Sequence, residues 1–251
     1  KIKICYLNMK LIKLSAIDST NTFLKNLASS EKVDNFTVVV AEHQTNGRGQ
    51  RGSNWLIEPS KNLTFSVLYR NSFKTNTNLF TLNVIVAISV IEGLQTDSNL
   101  KYFIKWPNDI LSDNKKIAGI LIENNIKSQS ELQSIIGIGI NVNQENFENL
   151  PQASSLFLLE RKKKDKDLLL KNIVNRLEYN LIKFIDSEET YFWQKYHDNL
   201  YKKDIVSSFE SAYGQRFVGK IINVTSEGKL KVQLEDDLEV DFDVKEVKML
   251  Y

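Results

Sequence analysis

Two rhythms of apolar residues organise this chain. The run LFTLNVIVAISVIEGLQ, residues 79–95, is apolar nearly all round and long enough for a buried helix. AIDSTNTFLKNLASS, residues 16–30, sets Phe23, Leu24 and Leu27 at helical spacing behind Asp18, Ser19 and Thr20, three residues suited to capping a helix start. Leu, Ile and Val recur at helical spacing again through DKDLLLKNIVNRLEYNLIKFI and TYFWQKYHDNL, between residues 165 and 200. The second rhythm is strand-like. It covers FTVVVAE (36–42), LTFSVLYR (63–70), YFIKWPND (102–109), KIAGILIEN (116–124) and SIIGIGINVN (134–143). The charged stretch RKKKDK at 161–166 reads as a solvated loop.

From about residue 203 the pattern changes to short alternating segments, RFVGKIINVT, KLKVQLED and LEVDFDVKEVKML, with a turn at Ser226–Gly228. That predicts a small all-β unit over 203–251, too small to hold a comfortable core alone, behind a larger α/β or α+β domain over 1–202.

Composition changes this picture little. With 42% hydrophobic and 25% charged residues the chain is ordinary for a globular protein, and a formal net charge of +2 gives no global argument for nucleic acid or membrane. Any cationic function must be local. The one cysteine, Cys5, excludes an intramolecular disulfide and a cysteine metal cluster, in keeping with a reducing cytoplasm. No apolar run approaches the roughly 20 residues that cross a bilayer. The lysine-interrupted N-terminus makes a poor signal peptide, and Met9 is a candidate start.

Glycine is sparse, so its clusters carry information. HQTNGRGQRGSNW, residues 43–55, links two predicted strands with Gly47, Gly49, Gly52, Arg48 and Arg51. Glycines tolerate positive φ and close approach, so their N–H groups can converge on an anion while the arginines add bidentate bonds to carboxylate or phosphate. Gln44 can donate and accept at once, and Trp55 offers a flat apolar face. Taken alone, the stretch also fits a surface loop with solvated arginines.

KWPNDI, residues 105–110, predicts that Trp106 continues a strand and that a turn sets Asn108 and Asp109 at its end. The plainer reading of that turn is two side chains bonding their own backbone. Lys116 stands at the entrance of a strand carrying Gly119, where a solvated edge residue is the ordinary case. GIGINVN, residues 137–143, predicts Asn141 and Asn143 on one strand face, with Gly137 and Gly139 leaving room for a ligand or a close backbone crossing.

Together and in this order, DSTN, HQTNGRGQRGSNW, KWPNDI, KIAGILIE and GIGINVN resemble the biotin protein ligases, from about residue 11 to 145 by motif and onward by architecture. The resemblance implies an α+β fold: a catalytic domain of the class II aminoacyl-tRNA-synthetase/biotin-ligase-like type, with a mixed sheet and flanking helices, and a small C-terminal SH3-like β-barrel. It implies two steps, formation of biotinyl-5′-AMP from biotin and MgATP, then transfer of biotin to a lysine of a biotin carboxyl carrier domain of acetyl-CoA or a related carboxylase. Many bacterial relatives carry an N-terminal DNA-binding domain. Here the first motif starts at Asp18, so the expectation is the enzyme-only form, cytoplasmic, without nucleic-acid or membrane partners. Relatives occur as homodimers or monomers.

Carried over by position, Arg48, Lys116 and Asp109 are the expected catalytic residues. Ser19, Thr20, Asn21, Gln44, Gly47, Arg48, Gly49, Lys116 and Gly119 are expected at biotin. Arg48, Arg51, Trp55, Asn108, Asp109, Lys116 and Asn141 are expected at ATP, with Lys105 in support. Magnesium is expected to arrive with ATP, near Asp109, without a protein cage. Gln50 and Ser53 depart from the family, which often places basic residues there, so retention of the adenylate would lean on Arg48 and Arg51. Competing readings are a lipoate or octanoate ligase or transferase of related fold, and a non-catalytic biotin-binding regulator.

Overall fold

A computed structural model describes residues 10–55, 58–71, 78–128, 131–148, 150–185 and 189–250; Cys5 and Met9 lie outside them. In chain order the elements are β1 (Leu11–Ile17), α1 (Thr20–Ser30), β2 (Val38–Gln44), β3 (Leu63–Asn71), α2 (Leu79–Gln95), β4 (Phe103–Lys105), β5 (Asp109–Ser112), β6 (Lys115–Ser128) and β7 (Glu131–Ile140). There follow α3 (Leu156–Glu160), α4 (Lys166–Ile185), α5 (Glu189–Asp198), β8 (Val206–Ser211), β9 (Arg216–Val224), β10 (Leu230–Leu234), β11 (Glu239–Phe242) and β12 (Val247–Leu250). The chain divides into two compact units, residues 1–76 with 113–172, and 77–112 with 173–251.

The first unit is built on a mixed sheet. β1 runs parallel to β2, and β2, β3, β7 and β6 follow antiparallel in that order. The parallel start has a simple cause: α1 intervenes between β1 and β2 and returns the chain to the same end. Ser19 is the N-cap of α1, in extended conformation. The helix buries Leu24 and Ala28 against Val33, Val39, Leu68 and Ile135, with Phe23 and Leu27 at the margin. Strand alternation then fixes the opposite face, where Val38, Phe65, Val67, Ile136 and Ile138 are buried.

In the second unit α2 is buried on nearly every side, as its largely apolar sequence requires, and Asn78 caps it by accepting from the Phe80 N–H at 2.9 Å. Buried Ser89 and half-buried Glu92 of α2 accept from Asn180 of α4, and Glu92 also meets Lys195 of α5 at 2.5 Å. β4 and β5 form a hairpin with Lys105 opposite Asp109. The last five strands make an antiparallel sheet in the order β11-β10-β9-β8-β12, in which Phe209, Phe217 and Phe242 stack. The predicted alternating segments therefore form a sheet of their own. The loop 161–166 is not wholly solvated: Lys164 is buried and paired with Glu160 at 2.5 Å.

Candidate functional site

The sheet face beneath α1 changes character along its length, and the cross-strand register shows where. Ile135 lies between Leu68 and Glu123, Gly137 between Ser66 and Leu121, and Gly139 between Thr64 and Gly119. Apolar side chains give way to glycine and hydroxyl. A floor without side chains admits something large, and here the indole of Trp55 lies on it. A Cβ on Gly139 would come within 2.5 Å of that ring, and one on Gly119 within 3.2 Å. Lys116 of β6 sets its ammonium 5.4 Å from the ring centroid, within cation–π range. Trp55 Nε1 is buried without a hydrogen-bond partner.

Trp55 is held there by a small hairpin. Its N–H donates to Gly47 O at 2.9 Å, Gly49 N–H donates to Ser53 O at 2.6 Å, and Arg48 bridges Asn54. A 3-10 turn, Gln50–Gly52, forms the tip. The loop glycines do not all serve the expected purpose. Only Gly52 has positive φ, +83°. Gly47 and Gly49 are required by space instead: a Cβ on Gly47 would lie 2.6 Å from Trp55 O, and one on Gly49 would strike Ser53 Oγ. The N–H groups of Gly49 and Trp55 bond within the loop rather than converging on an anion. Arg48 is exposed, and the side chain of Arg51 lies outside the described set.

Gly47 joins this roof to a polar cluster at the start of α1. Ser19, Thr20 and Asn21 are all buried. Gln44 Oε1 accepts from the Thr20 N–H at 2.8 Å, with Thr20 Oγ1 at 3.0 Å. Its amide nitrogen lies 3.0 Å from where a Gly47 Cβ would stand. Gln44 thus presents a donor on the side that Gly47 leaves open. Asn21 is engaged at both ends, donating to Glu123 at 2.9 Å and lying 2.6 Å from Ser66 Oγ. Gly137 is what makes room for it, since a Cβ there would collide with the carboxamide.

Two strand expectations need correction. Asn141 and Asn143 do not share a strand face, because β7 ends at Ile140. The backbone leaves the ladder there: Asn141 Nδ2 donates to Ser154 O at 3.0 Å, and Asn143 clamps Lys164 by exchanging two bonds of 3.0 Å with its backbone. Trp106 does not extend β4. It already lies in the turn, behind a cis peptide to Pro107, and its buried Nε1 donates to Gly228 O at 2.9 Å. Asp109 opens β5 and Asn108 precedes it, both half-buried. Lys105, Asn108 and Asp109 belong to the second unit; the other candidates belong to the first. Ser66 and Glu123 escaped the sequence reading, though a hydroxyl and a carboxylate interrupting buried strands were the available signal. Among the described residues no group of three or more His, Cys, Asp or Glu side chains could hold a metal ion.

Comparison with known proteins points one way. The model of the biotin/lipoate A/B protein ligase family matches residues 14–141. The bifunctional ligase/repressor BirA of Bacillus spizizenii is 35% identical over 136 residues, which is 54% of this chain and 41% of that protein. The biotin–[acetyl-CoA-carboxylase] ligase of Mycobacterium tuberculosis is 29% identical over 176 residues, 66% of this chain and 62% of that one. The alignment thus spans about two fifths of the first relative and about three fifths of the second. The solved biotin protein ligase of Aquifex aeolicus, in complex with biotin and ATP, superposes with a TM-score of 0.79 at 30% identity, covering 96% of this chain and 98% of that one.

Proposed function

Since the chain belongs to the biotin/lipoate A/B protein ligase family, we propose that it is a biotin protein ligase. It joins biotin to ATP and passes the biotinyl group to a lysine of a biotin carboxyl carrier domain, as on acetyl-CoA carboxylase. The observation that carries this reading is the pairing of a donor–acceptor set, buried Thr20 and half-buried Gln44, with the indole of Trp55 on its glycine floor and the ammonium of Lys116 beside that ring. A ureido ring needs the first, an aliphatic chain the second, and a carboxylate meeting a triphosphate the third. Likeness to an enzyme solved with biotin and ATP supports it over almost the full length of both chains.

In the first step a biotin carboxylate oxygen bonds to the α-phosphorus of ATP and the bond to the β-phosphate bridge breaks, so pyrophosphate leaves. In the second a lysine amine bonds to the anhydride carbonyl carbon, AMP departs with the bond electrons, and the amine loses its proton. Both anions carry charge that repels the other, and Lys116 with Arg48 supplies the fixed positive charge that offsets it. Ser19, Thr20, Asn21, Gln44, Gly47, Gly49 and Gly119 form the biotin side of this proposal. Arg51, Trp55, Asn108, Asp109 and Asn141 form the ATP side, with Asp109 assisting the incoming amine. Gln50 carries no charge, so the loop grips the adenylate through its arginines alone.

Magnesium would enter with the nucleotide phosphates and offset part of their charge. The division into a catalytic domain, 1–202, and a C-terminal unit, 203–251, belongs to the same proposal; its support is that all strands of the five-stranded sheet lie between Val206 and Leu250. So does a cytoplasmic setting, where MgATP and carboxylases meet. No described helix is long and apolar enough to cross a membrane. Biotin-dependent ATP–pyrophosphate exchange, run beside lipoate and octanoate, tests the reading. Exchange with biotin alone is expected; exchange with lipoate or octanoate only would move the protein to the other branch of the family.

A further inference from the structure

Five polar groups in the first unit form a chain whose proton directions are fixed by counting. Asn21 Nδ2 donates to Glu123 Oε2 at 2.9 Å and to Leu121 O at 3.4 Å. Two acceptors at that end pin the carboxamide, so its oxygen faces Ser66 Oγ, 2.6 Å away. The oxygen of Asn21 has no hydrogen, so the one hydroxyl proton of Ser66 points to it. Ser66 Oγ also lies 2.7 Å from Thr20 Oγ1, and that contact therefore takes the proton of Thr20. None is left for the longer contact from Thr20 Oγ1 to Gln44 Oε1, 3.0 Å, and Gln44 is served by the Thr20 backbone N–H instead. Thr20 and Ser66 are 3% and 0% exposed, so bulk water cannot redirect either hydroxyl.

We propose that Glu123, acting through Asn21 and Ser66, is a positioning residue that fixes the Thr20 hydroxyl as an acceptor for a ligand N–H. Each bond in the relay polarises the next, so the anchoring carboxylate strengthens the last acceptor. Gln44 beside it has the opposite polarity, its oxygen held by the Thr20 N–H and its nitrogen left as a donor. An acceptor next to a donor matches the N–H and C=O of a cyclic urea. The dithiolane of lipoate and the alkyl chain of octanoate offer neither group. The inference rests on the biotin reading and deepens it by naming what selects the head group. The plain alternative is that Glu123, with Lys25 3.8 Å away, only holds α1 on the sheet. A holding role weakens all ligands alike.

The test compares binding of biotin and of biotin N-methylated on the ureido ring to the full chain, by titration calorimetry. The unsubstituted protein should discriminate against the methylated ligand by about a hundredfold. In Glu123→Ala biotin should weaken about tenfold while the methylated ligand changes little, so discrimination drops to about tenfold. Glu123→Gln keeps an acceptor for Asn21 and should restore most of the discrimination. Ser66→Ala removes an oxygen and no carbon; it should reproduce the Glu123→Ala result, and it keeps the test open if that variant does not fold. Discrimination unchanged in the folded variants overturns the relay and leaves the biotin reading standing. Failure of the unsubstituted protein to bind biotin at all overturns both.

Discussion

Gly139 shows how an absent atom sets the shape of the site. Its cross-strand neighbours Thr64 and Gly119 are small, and the space they leave is filled by Trp55. Gly139→Ala would drive a methyl to within 2.5 Å of the indole, which is wedged between the sheet and its own hairpin and has little room to retreat. The expected outcome is a biotin KM raised tenfold or more in pyrophosphate exchange, with the far-UV circular dichroism unchanged. An unaltered KM would show that the ring swings away freely and forms no wall of the site. The glycines of the two motifs were plain in the sequence, yet what each makes room for was not. Gly137 admits Asn21 and Gly139 admits Trp55, partners from far along the chain, and no local pattern names a distant partner. For the same reason Thr20 and Gln44 were legible as candidates while the Ser66 and Glu123 behind them were not.

At the scale of elements the local signals served well where one element decides its own form. The apolar run of α2, the Ser19 cap of α1 (one of three candidates) and the alternation of β9 to β12 all appear where the pattern set them, while β8 is not among the segments read as strands. The departures lie where tertiary bonds compete with the ladder. Asn141 and Asn143 keep strand spacing but spend their amides on Ser154 and Lys164, so β7 stops before them. The turn after β4 is similar: Trp106 serves as an anchor, its indole bonded to the β9–β10 turn at Gly228, whose φ of +88° faces Phe80. Trp106→Phe keeps much of the ring but leaves the Gly228 carbonyl without that donor. A loss of about 1–3 kcal/mol in urea unfolding is expected. A much smaller loss would mean that water replaces the indole there.

The whole molecule is less legible than its parts, because its two units are discontinuous in sequence: residues 113–172 return to 1–76, and 173–251 return to 77–112. Non-local return of this kind leaves no periodicity to read. Burial raises the pKa of Glu178 above its ordinary 4.5, so the unfolded chain gives up that proton first and stability falls as pH rises through this range. Above both values the whole penalty remains. Glu178→Gln should therefore raise the melting temperature at pH 7 and bring no gain below about pH 4.5; equal gains at both would assign the effect to packing.

In the proposed reaction Lys116 and Arg48 supply positive charge while Asp109 serves the incoming amine. Two half-reactions make different demands on these groups. Adenylate formation needs positive charge and no base, because the attacking carboxylate is already ionised. Transfer needs a proton removed from the incoming ammonium or its amine, and a carboxylate at the start of β5 is suited to that. Asp109→Asn preserves size and hydrogen bonding but cannot take a proton. It should leave biotin-dependent pyrophosphate exchange within about threefold while slowing biotin transfer to a carrier domain by 10²–10⁴, roughly the range for a lost general base. Single-turnover transfer from preformed biotinyl-AMP isolates the second step. Equal losses in both steps would place Asp109 on the nucleotide instead, and transfer at the unsubstituted rate would remove it from the proton path.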